Sequence, residues 1–465
     1  MSVSENGHKP MPGTVPTPAV SYDAALVQRV FEEVGERLNS RDEADAAAGR
    51  RPLSTADRRQ LARSEVQRMI TEIDVERLEA GRQTLTAPEV ESLTTAVINR
   101  LFGLARLQDY IDDDQNTDIF VNGPDRVHLR RRDGTVVQGE PVADSVEELI
   151  DMIQTEARRG RHEQRWDPAA PELNMQLSSG DRLHAIAWVS TRPSISIRRH
   201  NFDLYRLNQL VEFGTINEAL FQFLRAAVLA RHNLIVAGGT GAGKTTLLRC
   251  LINEIPPDQR LVTVEDNLEL GVSNFEALHP NYVELEAREA NTEGVGEVTM
   301  HDLVKSGLRM GPDRVIVGEI RGAEVVPMLL AMSQGNDGSM STLHADSSEG
   351  VFRRIQMYLA MAPERGDWAA ANLLTSNAVD LIVHIARLKN NQRVITSIRE
   401  VTGIEGESSI PASNEVFSPD ANGRAVPTNS MSNKMLDRLL QAGFDPRWLQ
   451  PSQATEWPSG QRGGG

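Results

Sequence analysis

A single cysteine, Cys250, is all that 465 residues carry, so no internal disulfide can form and the chain reads as a protein of a reducing compartment. Its setting in TLLRCLINEI, a helical pattern, makes it an expected buried helix residue. Basic residues are in deficit: 49 Lys and Arg face 65 Asp and Glu, a formal charge of −16. That balance excludes a broad electrostatic footprint for nucleic acid and leaves room only for a local basic groove. Arg130-Arg131-Arg132 is the obvious place for one, but the following Asp133-Gly134 reads as a strand end entering a turn, so a solvated hairpin is expected rather than a phosphate patch. Long apolar runs are also missing, since none approaches the roughly 18 residues that span a bilayer. The opening MSVSENGHKPMPG lacks the charged-then-apolar pattern of a secretory leader. The expected location is cytoplasmic, with no membrane insertion and membranes touched only through partners.

What is present suffices for two or three domains with sizeable cores, and no internal repeat is visible. Residues 1–20, rich in Pro, Gly and Ser, are expected to be disordered. Residues 21–104 read as a helical module: Val27, Val30, Phe31, Val34 and Leu38 recur at helical spacing, Ser54-x-x-Asp57 opens a second helix and Thr86-x-x-Glu89 a third. From 105 to 205 short β-rich runs (TDIFVNGPDRVHLRRRDGTVV, DRLHAIAWV, SISIRRH) and one helix near 144–158 predict a small α/β domain with a mostly antiparallel sheet. From 206 to 405 apolar strands alternate with helices (NLIVAG, RLVTVED, RVIVGEI, SMSTLHA), the pattern of a buried, mostly parallel sheet. A hairpin, LIVHIARL and QRVITSIREV, turns at Lys389-Asn390-Asn391. Residues 406–465 read as a largely flexible extension with a short helical stretch near Met435 to Gly443.

The chemistry concentrates in one segment. Gly238-Gly239-Thr240-Gly241-Ala242-Gly243-Lys244-Thr245, continued by Thr246, matches the P-loop pattern in full, behind an apolar strand and ahead of a helix. In that setting glycines let backbone N–H groups turn toward phosphate oxygens, Lys244 reaches the β- and γ-phosphates, and the Thr245 hydroxyl ligands Mg²⁺. Nucleotide binding, with ATP and Mg²⁺, is the reading. A P-loop alone does not separate kinase, GTPase, helicase and motor. Three further strands end in polar groups: Glu265-Asp266, Glu319 and His344. Carboxylates at such ends suit Mg²⁺ coordination, part of it through water at Glu319, and orientation of an attacking water.

With these residues in view, the chain resembles the type II/IV secretion ATPase superfamily, in its tight-adherence (Flp) pilus branch, the CpaF family. The resemblance runs from about 90 to 405 through LFGLARLQDYIDDDQNTDIFVNGPDRV, GGTGAGKTT, VTVEDNLEL, the stretch from EAREANTEG to VIVGEIRGAE, and NDGSMSTLHADS. It implies a RecA-like P-loop domain behind a smaller α/β domain, assembled as a hexameric ring that hydrolyses ATP and drives pilus assembly or secretion with inner-membrane platform proteins. It also implies roles. Glu265, with Asp266 beside it, activates water; Glu319 holds the Walker B position; His344 closes a His box begun at Gly338 and senses the γ-phosphate. Arg309 reaches a neighbouring subunit's nucleotide, and Arg198 is a second candidate phosphate contact. The choice of base between Glu265 and Glu319 stays open. Two departures matter: Asn336 stands where the family has a histidine that would be a titratable donor beside the nucleotide, and Gln176 where an arginine is usual. They suggest one alternative reading, a nucleotide-gated scaffold of low turnover; a second, a RecA-like nucleic-acid motor of conjugative type, shares the P-loop class but is disfavoured by the acidic balance.

Overall fold

The computed structural model describes residues 24–51, 53–159, 164–199, 206–288, 295–364, 367–404, 410–450 and 457. The disorder expected for residues 1–20 and for the last residues of the tail lies outside this set. The chain divides into two compact units, one ending at His200 and the other beginning at Asn201. No helix among the described residues is long and apolar enough to cross a membrane.

The first unit opens with helices α1 (Ala24–Ala47), α2 (Thr55–Glu79) and α3 (Ala87–Phe102). Val27, Val30, Val34 and Leu38 form a buried stripe on α1 that packs with Val66, Met69 and Ile73 of α2 and Leu93 and Val97 of α3. Ser54 Oγ accepts from the Asp57 N–H (3.1 Å), and the Thr86 N–H donates to Glu89 Oε2 (2.7 Å), so both helix starts carry the side-chain caps their spacing suggests. Then come α4 (Ala105–Asp112), β1 (Asn116–Asn122), β2 (Val127–Arg131), β3 (Val136–Gly139), α5 (Val146–Arg159), β4 (Glu172–Gln176), β5 (Arg182–Ile186) and β6 (Ser194–Arg198). The six strands form one antiparallel sheet in the order β3-β2-β1-β6-β5-β4. The arginine run belongs to its β2–β3 hairpin, and carboxylates and carbonyls of the same unit engage it. Arg130 pairs with Asp118 (3.3 Å), Arg131 with Asp113, and Arg132 Nε donates to the Asp114 carbonyl (2.7 Å).

The second unit contains α6 (Leu207–Glu212), α7 (Glu218–Leu229), β7 (Leu234–Gly238), α8 (Lys244–Ile252), β8 (Leu261–Glu265), β9 (Tyr282–Glu286), α9 (Met300–Gly307), β10 (Arg314–Ile320), α10 (Val325–Ser333), β11 (Met340–His344), α11 (Gly350–Met361), α12 (Trp368–Ala378), β12 (Leu381–Arg387) and β13 (Arg393–Gly403). It ends with β14 (Ala412–Pro419), β15 (Ala425–Pro427) and α13 (Asn433–Gln441). One nine-stranded sheet runs β15-β14-β13-β12-β7-β11-β10-β8-β9. The six strands from β12 to β9 are parallel, and β13 to β15 extend them antiparallel. This is the RecA-like α/β architecture.

Strand β7 is buried along its whole length. Leu234 and Val236 face one core, with Phe223, Leu247 and Val383; Ile235 and Ala237 face the other, with Val317, Leu329 and Phe352. A strand walled on both faces must be apolar at every position, as Leu-Ile-Val-Ala-Gly is. Its start is pinned by Asn233, which is 3% exposed. Asn233 Nδ2 donates to the carbonyls of Met332 (2.7 Å) and Ala378 (2.8 Å), and Oδ1 accepts from the Gly338 (2.9 Å) and Ser339 (3.0 Å) N–H groups.

The C-terminal segment departs from expectation. Rather than a largely flexible extension, residues 412–441 supply two strands and a helix to the main core. The Phe417 ring meets Phe223 edge-on with centroids 5.0 Å apart, Phe444 meets it at 5.9 Å, and Met435 and Leu439 of α13 are buried. Arg438 of α13 pairs with Asp380 (3.1 Å), and the buried Glu400 accepts from the Ser432 N–H (2.9 Å) and hydroxyl. Phe417→Ala is therefore expected to lower the unfolding free energy by roughly 3 to 5 kcal/mol, as for a fully buried phenylalanine. Chemical denaturation measures it, and an unchanged midpoint would show that this segment does not share the core.

Candidate nucleotide site

The P-loop leaves the C-terminal end of β7. Gly238 is the closest approach, because a Cβ there would run into the Ile385 carbonyl oxygen of β12. Gly241 and Gly243 take φ of +71° and +98°, left-handed backbone that lets successive N–H groups point into one concavity ahead of α8. Gly239, Thr240 and Gly241 are exposed, Ala242 is buried, and Thr245 and Thr246 are half-buried in the first turn of α8. The Lys244 side chain folds back over the loop. Its Nζ donates to the Gly239 carbonyl (3.2 Å) and stands 3.3 Å from both ring nitrogens of His344. Burial holds its pKa below the usual ammonium value, with Glu319 opposing the shift. No carboxylate among the described residues lies within ion-pair distance of it. A half-desolvated cation beside converging N–H groups is a site for a polyanion.

Parallel pairing brings the other polar strand ends alongside. The order β7-β11-β10-β8 sets Gly238, His344, Glu319 and Glu265 in a row, with His344 in register with Gly238. At about 4.8 Å per strand the row spans about 14 Å. His344 Nε2 lies 2.8 Å from Glu319 Oε1, and burial and the neighbouring Lys244 both lower the imidazole's pKa. Glu319 Oε2 accepts from Arg321 Nε (2.7 Å) and faces Arg321 Nη2 (2.6 Å), while Arg321 Nη1 reaches Asp266 Oδ2 (3.3 Å). Glu265 is 2% exposed. Its Oε2 accepts from the Glu269 (2.8 Å) and Leu270 (2.9 Å) N–H groups, and burial nevertheless pushes its pKa up to about 8. Gly318 makes room for it: a Cβ on Gly318 would sit 2.9 Å from Glu265 Cγ.

Other expected residues lie elsewhere. Arg309 sits in a 3-10 turn, Leu308–Met310, exposed, its side chain without a hydrogen bond or ion pair among the described residues. Arg198, in the first unit, pairs with Asp118 (3.3 Å), and Gln176 Nε2 donates to the Gly180 carbonyl (3.1 Å) within the β4–β5 hairpin. Asn336 corrects an expectation. It precedes the start of β11 and donates to the Pro312 carbonyl (2.7 Å) just ahead of β10, whereas the nucleotide loop lies at the opposite, C-terminal ends of these strands. A histidine at 336 would not stand beside the P-loop. Cys250 is fully buried in α8, its thiol pushed up to about 12 by burial.

Two arginines were not singled out from the sequence. Arg321 follows Glu319 by two, the spacing that puts side chains on one face of a strand, and this was the available signal. Arg393, on β13, donates through Nε to the Gly241 carbonyl (3.1 Å), and nothing local announces it 152 residues away. The residues also fit a divalent cation beside the phosphates. Buried Oε1 atoms of Glu265 and Glu319 have no aligned hydrogen-bond donor, and the half-buried Thr245 opens the helix after the loop.

Residues 92–434 match the family described as type II/IV secretion system protein. A putative conjugal transfer protein of Mycobacterium tuberculosis is 36% identical over 316 residues, 66% of this chain and 86% of that one. The type IV secretion system protein VirB11 of Brucella suis is 31% identical over 313 residues, 61% of this chain and 84% of that one. Among solved structures, the VirB11 ATPase of the Brucella suis type IV secretion system aligns at 27% identity with a TM-score of 0.34, covering 63% of this chain and 95% of that one. With a complete P-loop and carboxylates on adjoining strand ends, and with a match over well more than half its length, the chain belongs to the type II/IV secretion system protein family and is an ATPase of that family.

Proposed function

We propose that this protein hydrolyses Mg–ATP at the row formed by Lys244, His344, Glu319 and Glu265, and that the released energy drives pilus assembly or secretion. The observation that carries the reading is the convergence of the P-loop cation, through His344, on a carboxylate two strands away. The P-loop N–H groups and Lys244 bind and orient the phosphates; Thr245 and Glu319 are the residues that would hold Mg²⁺, which neutralises phosphate charge when bound. Glu265 is the proposed base. One of its oxygens is held by two backbone N–H groups, and its pKa of about 8 sits near working pH, where a base transfers protons best. Phosphoryl transfer needs little covalent help, so positioning and charge neutralisation do most of the catalysis.

The finer parts of the proposal rest on the resemblance to the CpaF family and on exposed groups. A hexameric ring in the cytoplasm, docked on inner-membrane platform proteins, suits the exposed Arg309, whose side chain has no partner among the described residues and is proposed to complete a neighbour's site. Arg198 is the second candidate for such a contact. Relatives named for conjugal transfer favour a second reading, a motor of a conjugative apparatus. Stimulation of hydrolysis by DNA tests it, and the pairing of Arg130 to Arg132 within their own unit weighs against DNA acting there. The low-turnover scaffold loses one support, because Asn336 lies away from the P-loop.

Steady-state phosphate release tests the central reading. Lys244→Ala is expected to abolish it and weaken ATP binding, since the loop loses its only ammonium; wild-type turnover in this variant would end the proposal. Glu265→Gln is expected to keep nucleotide affinity and lose kcat by about 100-fold or more, the usual scale for a general base. If Glu319→Gln shows that signature and Glu265→Gln does not, the two roles exchange. The nucleotide-free protein offers an independent check on Glu265. Its carboxyl titrates near 8 when folded against an ordinary 4.5, so between those values the folded state holds a proton that the unfolded chain has lost. Stability should therefore fall as pH rises through this window. Glu265→Gln should flatten that decline in thermal melts across the pH series, and an unaltered slope would remove the assigned titration.

A further inference from the structure

None of the roles assigned above uses Arg321, yet its contacts are the most directed in the site. Nε and Nη2 both meet Glu319 Oε2, at 2.7 and 2.6 Å, and Nη1 lies 3.3 Å from Asp266 Oδ2. A fork closed on one oxygen fixes the rotation of the Glu319 carboxylate. The other oxygen, Oε1, then lies 2.8 Å from His344 Nε2 with no hydrogen-bond donor aligned on it. The same guanidinium bridges two neighbouring strands, because Asp266 follows the end of β8 and Glu319 lies near the end of β10. Global stability is a poor reason for this arrangement. The Arg321 side chain is 56% exposed and Asp266 55%, and exposed pairs contribute little to folding.

We propose that Arg321 is a positioning residue that, through the fork on Glu319 and the bridge to Asp266, sets which carboxylate oxygen is offered to the magnesium ion of Mg–ATP. The inference rests on the ATPase reading and adds to it a residue that touches neither nucleotide nor metal. Lysine cannot stand in for it, since one ammonium on a flexible stem cannot close a fork and span to a second carboxylate. The charge of Arg321 is therefore less important than its shape.

The test uses the full chain with Arg321→Gln, Arg321→Lys and Asp266→Asn, read by two measurements. The first is binding of a fluorescent ADP analogue titrated with Mg²⁺ in the absence of turnover. The second is the Mg²⁺ concentration for half-maximal hydrolysis, with kcat and KM. Partners that orient a metal ligand typically change metal affinity or activity by about 10- to 100-fold when removed. Arg321→Gln is expected to raise the Mg²⁺ requirement by about 10-fold or more in both measurements, on that scale, while Mg²⁺-free analogue affinity stays at the wild-type value. Arg321→Lys should resemble Arg321→Gln, and Asp266→Asn should shift the requirement in the same direction by less. The double variant should fall short of the product of the two, as expected for groups in one network. Wild-type Mg²⁺ dependence in both Arg321 variants overturns the proposal. So does full rescue by lysine, which would make charge alone sufficient. If Arg321→Gln does not fold, a wild-type Mg²⁺ requirement in Asp266→Asn overturns it instead. Failure of the ATPase reading looks different: the wild-type chain would then show no Mg²⁺-dependent hydrolysis, whereas a normal Arg321→Gln beside an inactive Lys244→Ala removes the positioning role alone.

Discussion

The organising constraint is the burial of β7 on both faces between parallel neighbours. It demands apolar side chains throughout Leu234–Gly238, and it demands that the only polar business of the strand be conducted at its two ends. At one end Asn233 satisfies four backbone groups with its amide alone. At the other, Gly238 packs so closely on the Ile385 carbonyl that no side chain fits. The P-loop is thus launched from a support that cannot shift without disturbing both cores. A loop that must present N–H groups to phosphates gains from this, because preorganised donors need no rearrangement when charge arrives.

From that support the electrostatics follow in order. Each polar end sits on its own strand, so the spacing between cation, imidazole and carboxylates is set by the sheet rather than by flexible chain. Lys244 and Glu319 do not pair directly; His344 stands between them, close to both. Had they paired, binding of a phosphate would have had to break a buried ion pair, a large penalty. The present arrangement keeps the cation available while the imidazole's depressed pKa limits positive charge between them. Glu265, deeper and more shielded, is the group whose proton affinity burial changes most clearly.

Legibility in the sequence varied with how local the determining signal was. The P-loop, the parallel strands through it and the caps at Ser54 and Thr86 depend on residues within a few positions of one another, and pattern reading reached them. Strand β9 was missed, because YVELE sits half-buried on the edge of the sheet and lacks the apolar run of its neighbours. The C-terminal strands were missed for a related reason. Val416, Phe417 and Ala425 are few and lie among Ser, Asn, Pro and Gly, and the core they join is built largely from distant chain, Phe223 among it some two hundred residues earlier. Asn336 shows a limit of motif proximity: it is near His344 in sequence, but the intervening strand β11 carries the two to opposite ends of the strands. Arg321 was legible in principle from its spacing to Glu319, whereas its bridge to Asp266 depends on β8 and β10 being neighbours.

The anchoring of β7 also bears on when this unit can fold. Asp380 Oδ2 accepts from the Asn233 N–H across 147 residues, and Asp380 Oδ1 in turn meets Arg438, whose Nη2 also reaches the Ala230 and Arg231 carbonyls. The strand that launches the nucleotide loop is therefore completed by chain made long after it. During synthesis from the N-terminus, an emerging β7 has α7 and soon α8 for one face but neither β11 nor β12 to pair with, so its edges and the face of Ile235 and Ala237 stay uncovered until nearly the whole unit has left the ribosome. The six-stranded sheet of the first unit is complete at β6, before β7 is made, so synthesis presents a finished sheet followed by a long interval in which Leu234–Gly238 lacks its partner strands. Chaperone demand in this protein should be concentrated in that interval.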